Sequence, residues 1–319
     1  MSEHRSAPLL ILLALLLAGF SAIWVFQGLP EAGRAFILKL RLIKLSGLIT
    51  IGAAIAVATL LFQTVAANRV LTPSIMGFDA LYILLQTALI TGLGTTGFVT
   101  LPPQAKFLAE VAILCLLATL LFGSLLANGA RDIPRMILTG VILGVLFRSL
   151  SGFLGRIIDP NTYAVVQSMQ FASFNTIKAE LLPWAAALCA LAIILAWKAG
   201  PKLDVLALGR NSAIPLGLRF DRMVVAALAL VSLLVAVSTA LVGPVAFFGL
   251  IVAGLTHGLV RNSRHRVMLP AAALIAAIIL VGGQFIFERL LGQQATLSVV
   301  VEFAGGLFFL YLLIRGRVR

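Results

Sequence analysis

The residue types that most often carry out chemistry are scarce and scattered in this sequence. It holds three histidines, His4, His257 and His265, and none lies in the HExxH arrangement of zinc hydrolases. His257 and His265 flank a basic turn, so we expect them to be solvated rather than to bind a metal. No GxxxxGK[ST] phosphate loop occurs, and this chain is therefore not expected to hydrolyse ATP.

Acidic residues offer a different chemistry, the movement of protons through a membrane. The sequence has 11 acidic residues, of which Asp79, Glu110 and Glu302 lie near apolar segments. Carboxylates inside membrane spans can relay protons, so a proton-coupled secondary transporter is one alternative. It requires Glu110 or Glu302 to face a cavity. The scatter of the acidic residues argues against a hydrolase with paired carboxylates.

Composition defines the elements that must position these residues. The chain has 319 residues, of which 61% are hydrophobic and 11% charged, and its mean hydropathy is +1.11. A soluble domain could not bury so much apolar surface, and repeated apolar runs of roughly 18 or more residues indicate transmembrane helices. We predict an all-α polytopic membrane protein with a single transmembrane domain over residues 1–319. About ten spans fall near residues 8–26, 46–65, 79–99, 106–126, 134–153, 182–197, 223–241, 247–260, 268–287 and 297–314.

Basic residues in the predicted loops indicate how the chain is oriented. The formal net charge is +13, but the basic residues lie in short loops between the spans. One alternate set of loops, which includes both termini and residues 198–222, is about twice as basic as the other. Because the more basic loops face the cytoplasm, we predict cytoplasmic termini. This distribution needs no nucleic-acid partner; the expected surroundings are membrane lipid.

Residues 203–222 form a polar, basic interruption between two apolar spans. Within it, Leu208-Gly209, Ala213 and Leu216-Gly217 have spacings that suggest two very short helices with a glycine elbow. Glycine can take the positive φ that ends a helix, and Pro215 prevents one continuous helix. Composition alone would favour an ordinary cytoplasmic loop.

This spacing resembles the coupling segment of the permeases that import iron-siderophores and vitamin B12, which are the membrane subunits of large-type ABC importers. The resemblance extends from about Leu38 to the C-terminus. It implies that the segment fits a groove on a separate ATPase dimer, which binds the ATP and Mg²⁺, and that this chain binds no cofactor of its own. The residues implied in coupling to the ATPase are Leu208, Gly209, Ala213, Leu216, Gly217 and Arg219.

Three cations resemble a docking set of the same family. Arg41-Leu-Ile-Lys44 resembles its Arg-x-x-Arg motif, with Lys44 in place of the second arginine, and Arg289 resembles a third member. By the predicted orientation they face outward, and the resemblance implies that they receive acidic side chains of an extracytoplasmic substrate-binding protein. Opposite charges in such a contact set register and association rate more than affinity. Alternatively, the three cations are anchors that reach to lipid headgroups.

The loop at residues 68–77 resembles the family's Asn-Pro-Leu-Ala-x-Pro-x-x-Leu-Gly segment, although Arg69 replaces the first proline. The resemblance implies a place at the cytoplasmic gate of the pathway for Asn68, Val70 and Pro73. A plain turn between two spans is the alternative.

Residues 137–144 resemble the start of the family's fifth span, which implies that Thr139, Gly140 and Gly144 line a pathway between two permease chains. The spacing of the two glycines also suits ordinary close packing of helices. Arg148 follows one helical turn later on the same face. An arginine at bilayer depth usually faces water or a partner, and we hypothesise that Arg148 faces the pathway and attracts an anionic cargo. The alternatives are that it reaches to the headgroups or pairs with a carboxylate such as Asp159.

Residues 243–257 and 264–270 resemble two further family motifs, Gly-x-Ile-x-Phe-Val-Gly-Leu-Ile-x-Pro-His and His-Arg-x-Leu-Leu-Pro, but the Pro-His pair is absent. This departure resembles one branch of ferric-siderophore permeases, whose members pair with a different, related permease. The resemblance therefore implies a permease that imports ferric siderophores across the bacterial cytoplasmic (inner) membrane within a heterodimer. Importers of cobalamin or haem remain alternatives.

Overall fold

The computed structural model describes residues 6–31, 33–127, 133–175, 177–260, 262–289 and 297–314. Over these residues the chain is helical and contains no β-strand, which confirms the predicted all-α fold. The helices are α1 (Ser6–Phe26), α2 (Arg34–Ala66), α3 (Phe78–Thr100), α4 (Pro103–Ala127), α5 (Ile133–Gly155), α6 (Pro160–Ser168), α7 (Leu182–Lys198), α8 (Gly200–Leu206), α9 (Arg210–Ala213), α10 (Phe220–Val242), α11 (Phe248–Leu259), α12 (His265–Arg289) and α13 (Leu297–Ile314). A short 3₁₀ helix, Pro73–Met76, lies between α2 and α3.

Each predicted span overlaps one of these helices, but the count of ten is not confirmed. Among the described residues, seven helices are long and apolar enough to cross a membrane, namely α1 to α5, α10 and α12. Helices α7 and α8 meet at an angle of 62° and make an eighth if they count as one broken span. Helix α11 and the apolar part of α13 are shorter.

The difference arises because hydropathy records composition and not the length of a helix. At 1.5 Å per residue, the 12 residues of α11 rise about 18 Å, which is less than the ~30 Å of a bilayer's hydrocarbon core. The second predicted span, 46–65, is shorter than the helix that contains it. Helix α2 begins at Arg34 and has 33 residues, so Arg41 and Lys44 lie inside the helix.

Helix α2 forms the centre of the core and packs against α7, α10, α11 and α12. Its second half is buried almost without interruption, and Leu48, Leu61 and Phe62 are fully covered. A Cβ atom on Gly52 would lie 3.2 Å from the main-chain carbonyl carbon of Ala276 in α12, so small residues allow the two backbones to approach closely. Helix α2 thus connects the two ends of the bundle.

The remaining long helices pack around this centre and leave apolar faces uncovered. Helix α1 packs on α12, α4 on α10, and α3 on α5. The outer face of α5 exposes Leu138, Ile142 and Leu146 by more than half of each side chain. Such a contiguous apolar face marks contact with lipid or with another membrane protein.

Candidate functional site

The polar segment after α8 forms a knob, defined here as residues 207–219, at one end of the bundle. Gly209 has a φ of 83° between α8 and α9, and Gly217 has a φ of 82° before α10 begins. Glycine adopts such angles without steric cost. The predicted pair of very short helices with a glycine elbow is confirmed, although α8 begins slightly earlier than predicted, at Gly200.

The knob presents apolar side chains outward from a fixed base. Leu208 and Leu216 are 59% and 63% exposed, whereas Ala213 is fully buried. The guanidinium group of Arg210 donates to both carboxylate oxygens of Asp221, at 2.6 and 3.2 Å, and a bidentate pair of this kind fixes geometry. Arg219 is also exposed. The knob therefore has the features of a surface that contacts another protein.

The three cations of the predicted docking set meet at the opposite end of the bundle. Arg41 donates to the main-chain oxygen of Gln27 at 2.9 Å, and Arg289 donates to the same oxygen at 2.7 Å. Both arginines thereby satisfy a carbonyl group just beyond the end of α1, where intrahelical partners are missing. Lys44 forms a salt bridge with Glu288. The structure brings the three cations together; their part in docking stays a prediction.

The loop after α2 turns back on that helix. The side-chain oxygen of Asn68 accepts a hydrogen bond from the main-chain N–H of Val70 at 2.9 Å. The amide of Gln63 donates to the main-chain oxygen of Arg69 at 2.5 Å. Val70 is buried, and Pro73 begins the 3₁₀ helix. This segment is a constrained loop; its role as a gate stays a prediction.

Glycines make a close contact between this loop and α5. Gly77 has a φ of 86°, and a Cβ atom built on it would lie 2.6 Å from the Cα of Gly144. A Cβ on Gly140 would lie 2.8 Å from the terminal methyl carbon of Met76, and Thr139 next to it is partly buried. The spacing of Gly140 and Gly144 therefore serves packing within this chain, while a pathway along α5 remains a prediction.

Arg148 lies one turn beyond Gly144 and lines a cavity of about 400 Å³. Asp79 of α3 and Glu302 of α13 line the same cavity. Asp159 has other partners. Its carboxylate accepts hydrogen bonds from the main-chain N–H groups of Asn161 and Thr162, at 3.0 Å each, and caps α6. The carboxylates that share a cavity with Arg148 are thus Asp79 and Glu302, and not the partner suggested from sequence.

A second charged cavity, of about 720 Å³, lies among α3, α4 and α10. Glu110 lines it with a side chain that is only 6% exposed, 3.8 Å from the ammonium group of Lys106. Lys106 also lies 3.2 Å from the centre of the Phe98 ring, a cation–π contact. Glu110 and Glu302 both line cavities, which is the geometry that a proton-coupled transporter would require.

The prediction that His257 and His265 are solvated is wrong. His265 is 6% exposed; its Nδ1 lies 2.6 Å from a carboxylate oxygen of Asp204, and its Nε2 lies 2.7 Å from the hydroxyl of Thr64. His257 is partly buried, and its Nε2 lies 3.4 Å from the side-chain oxygen of Gln63. The basic residues around the two histidines suggested a solvated turn, but the groups that contact the histidines come from distant parts of the sequence. Asp204 and Thr64 had no sequence signal of their own.

Sequence comparison relates the whole chain to transport proteins. The profile of the FecCD transport family matches residues 8–315. The petrobactin import system permease protein YclO of Bacillus subtilis is 40% identical over 280 residues, which are 88% of this chain and 89% of that protein. The vitamin B12 import system permease protein BtuC of Vibrio cholerae is 28% identical over 321 residues, covering 98% of this chain and 94% of that protein.

Comparison of structures gives the same fold. A metal-chelate type ABC transporter, solved in an inward-facing conformation, superposes with a TM-score of 0.82 and 22% sequence identity, and the match covers 97% of this chain and 99% of that chain. At this identity the likeness concerns the fold alone. Since the family profile also extends from α1 to the end of α13, this chain belongs to the FecCD transport family.

Proposed function

We propose that this chain is the membrane permease subunit of an ATP-driven importer that carries ferric siderophores into a bacterial cell. One observation carries the proposal: the chain is 40% identical to a petrobactin import permease over 89% of that protein. Petrobactin is a siderophore, and the 28% identity with a vitamin B12 permease gives the cobalamin alternative weaker support.

The knob is the part of the chain through which ATP hydrolysis by the partner acts on the permease. Its exposed leucines, Leu208 and Leu216, fit into a groove of a separate ATPase, which binds ATP and Mg²⁺ and works as a dimer. Gly209 and Gly217 set the backbone of the knob, and the pair Arg210–Asp221 fixes its base. Movement of the ATPase displaces the knob as a unit. The permease itself performs no covalent chemistry and needs no cofactor.

The orientation follows from where the basic loops lie. With the knob and both termini in the cytoplasm of the cell, the cluster of Arg41, Lys44 and Arg289 is on the outer side of the cytoplasmic membrane. There the two arginines meet the substrate-binding protein that delivers the cargo, while the charge of Lys44 is balanced by Glu288. The positive-inside rule supports this direction, since the knob side carries about twice as many basic residues.

A second permease completes the pathway. The exposed apolar face of α5, with Leu138, Ile142 and Leu146, packs against a related but different permease, and the pathway runs between the two chains beside Arg148. Switching of this interface between two arrangements gives access to one side of the membrane at a time. Asn68, Val70 and Pro73 form the gate on the cytoplasmic side.

The cavities at Glu110 and Glu302 are the one observation that favours a proton-coupled transporter. A proton-coupled transporter does not need an exposed surface such as the knob, and the similar proteins are permeases of import systems. The ATP-driven importer is therefore preferred.

Isolation of the intact complex tests the proposal. The chain is tagged, extracted gently from native membranes, and its partners are identified by mass spectrometry; import of ferric petrobactin is then measured in vesicles with and without ATP. An ATPase and a second, non-identical permease should co-purify, and import should require ATP. Recovery of the chain alone, with import driven by a proton gradient, would favour the proton-coupled transporter over the ATP-driven importer.

A further inference from the structure

His265 joins three helices at the knob end of the bundle. As the first residue of α12, it donates its main-chain N–H to Oδ1 of Asp204 at 2.8 Å, and its Nδ1 lies 2.6 Å from the same oxygen. Its Nε2 lies 2.7 Å from the hydroxyl of Thr64, in the last turn of α2. One buried side chain thus connects α8, α12 and α2.

These contacts hold in either protonation state of the histidine. A carboxylate only accepts hydrogen bonds, so Nδ1 donates its proton to Asp204. The hydroxyl of Thr64 also lies 2.8 Å from the main-chain oxygen of Leu60. It can donate to Leu60 and accept from the Nε2–H of a charged imidazole, or donate to the Nε2 of a neutral one. The connection from Asp204 to Thr64 is retained in both cases.

Packing of the bend between α7 and α8 reinforces the connection. The indole N–H of Trp197 donates to the main-chain oxygen of Arg266 at 3.1 Å, and the guanidinium group of Arg266 lies 5.6 Å from the centre of the indole ring. A Cβ atom on Gly200 would lie 2.8 Å from Cγ of Arg266. The bend between α7 and α8, which precedes the knob, therefore packs directly on the first turn of α12.

At Thr64, the connection through His265 reaches the loop after α2. Gln63, the residue before Thr64, donates to the main-chain oxygen of Arg69 at 2.5 Å. The loop then continues to Gly77, which touches Gly144 of α5. A continuous line of contacts runs from the helix that carries the knob, through His265 and the end of α2, to α5.

We propose that Asp204, His265 and Thr64 form a strut that transmits displacement of the knob to the loop after α2 and thereby couples ATP hydrolysis to opening of the pathway. The strut rests on the proposed function, in which the knob contacts an ATPase. Its members are positioning residues, because they act through the loop. A chain of hydrogen bonds between two elements is a physical carrier of coupling when each element has two arrangements.

Replacement of the Thr64 hydroxyl tests the strut with little change of shape. Thr64→Val removes the hydroxyl, and Thr64→Ser keeps it. In the complete complex in vesicles, we expect Thr64→Val to lower the ferric petrobactin imported per ATP hydrolysed by about tenfold, the effect of one lost hydrogen bond on the coupling equilibrium. Thr64→Ser should restore the ratio to within about twofold of the unmodified chain.

Thr256→Val is the matched control, because the hydroxyl of buried Thr256 donates to Val252 within its own helix, at 2.7 Å. It should leave the import ratio unchanged. Thr64→Val combined with Asp204→Ala, which removes the acceptor of His265, should lose no more than the more damaging of the two single variants, since both interrupt one series of contacts. An unchanged ratio in Thr64→Val, or losses that multiply in the double variant, would overturn the strut. A wild-type complex that contains no ATPase would instead overturn the proposed function.

Discussion

Arg41 in α2 and Arg289 at the end of α12 donate hydrogen bonds to the same main-chain oxygen, that of Gln27, at 2.9 and 2.7 Å. The two side chains hold the end of α1 against α2 and α12. Their charge is not cancelled by this carbonyl group. Lys44 differs, because its ammonium group is paired with the carboxylate of Glu288. The arginines can therefore support the fold and attract an acidic partner at the same time, whereas the charge of Lys44 is neutralised locally.

Loss of the two arginine charges should weaken docking of the substrate-binding protein. In Arg41→Gln with Arg289→Gln, each charge is replaced by a neutral amide, so the attraction for acidic groups is lost. We expect the Kd to rise about tenfold at low ionic strength and about twofold near 1 M salt, since the Debye length shrinks to ~3 Å. Binding to the permease in nanodiscs, measured over a salt series, checks this.

The matched control is Lys44→Gln with Glu288→Gln, which removes the ion pair without a change of net charge. Docking should stay within about twofold of the unmodified chain, because a pair of opposite charges has little field at a distance. A loss that does not depend on salt in the arginine variant would point to disruption of the end of α1. An equal loss in the control would give Lys44 the docking role that the resemblance implies.

The fold was largely predictable because apolar runs and glycines act locally. The knob is one example: Gly209 and Gly217 have the positive φ angles that the spacing indicated. The start of α2 was not predictable from hydropathy, because charged residues interrupt the apolar run between Arg34 and Lys44. The helix continues through them since its long cationic side chains reach acceptors in the last turn of α1 and on α12.

Contacts between distant segments limit how much of the candidate site could be predicted from the sequence. The partners of His265 are Asp204 and Thr64, and nothing in the sequence around any of the three marks the others. The same holds for the cavity that Arg148 shares with Asp79 and Glu302, where sequence proximity suggested another carboxylate. Residue type was a good guide to which side chains are costly in a membrane, but not to where their partners lie.

The knob glycines should be required for coupling rather than for insertion. A Cβ placed on Gly209 or Gly217 has no atom beyond the adjoining residues within 4 Å, so the first side-chain carbon meets no neighbour there. The penalty comes from the positive φ, roughly 1–3 kcal/mol at each position, and Gly209, with a ψ of 167°, lies in a region that is essentially confined to glycine. Gly209→Val with Gly217→Val should insert normally, yet lower ATP-dependent import at least about tenfold. Gly258→Val, at an exposed helical position with equally open surroundings, is the control, and normal import in the double variant would contradict the coupling role.

Gly77 should tolerate no side chain. Its φ is 86°, and the Cβ of alanine would lie 2.6 Å from the Cα of Gly144. Strain and overpacking should together destabilise Gly77→Ala by roughly 2–4 kcal/mol, visible as a lower Tm of the purified permease in detergent. Gly92→Ala in α3, where no atom lies within 4 Å of the new Cβ, should leave the Tm unchanged or raise it slightly. Equal melting of the two variants would show that the loop and α5 are not held together by this contact.

Arg148 should influence the affinity for cargo through its charge. It is the one basic residue among the described residues that line its cavity, beside the carboxyl groups of Asp79 and Glu302. We expect Arg148→Ala to raise the KM for ferric petrobactin about tenfold, while Arg148→Lys, which keeps the charge, stays within about threefold. Import rates over a range of cargo concentrations separate KM from the maximal rate. If Arg148→Ala instead lowers the yield of assembled complex, and Asp79→Asn or Glu302→Gln restores that yield, then the arginine serves to neutralise its carboxylate neighbours, and the attraction of an anionic cargo is excluded.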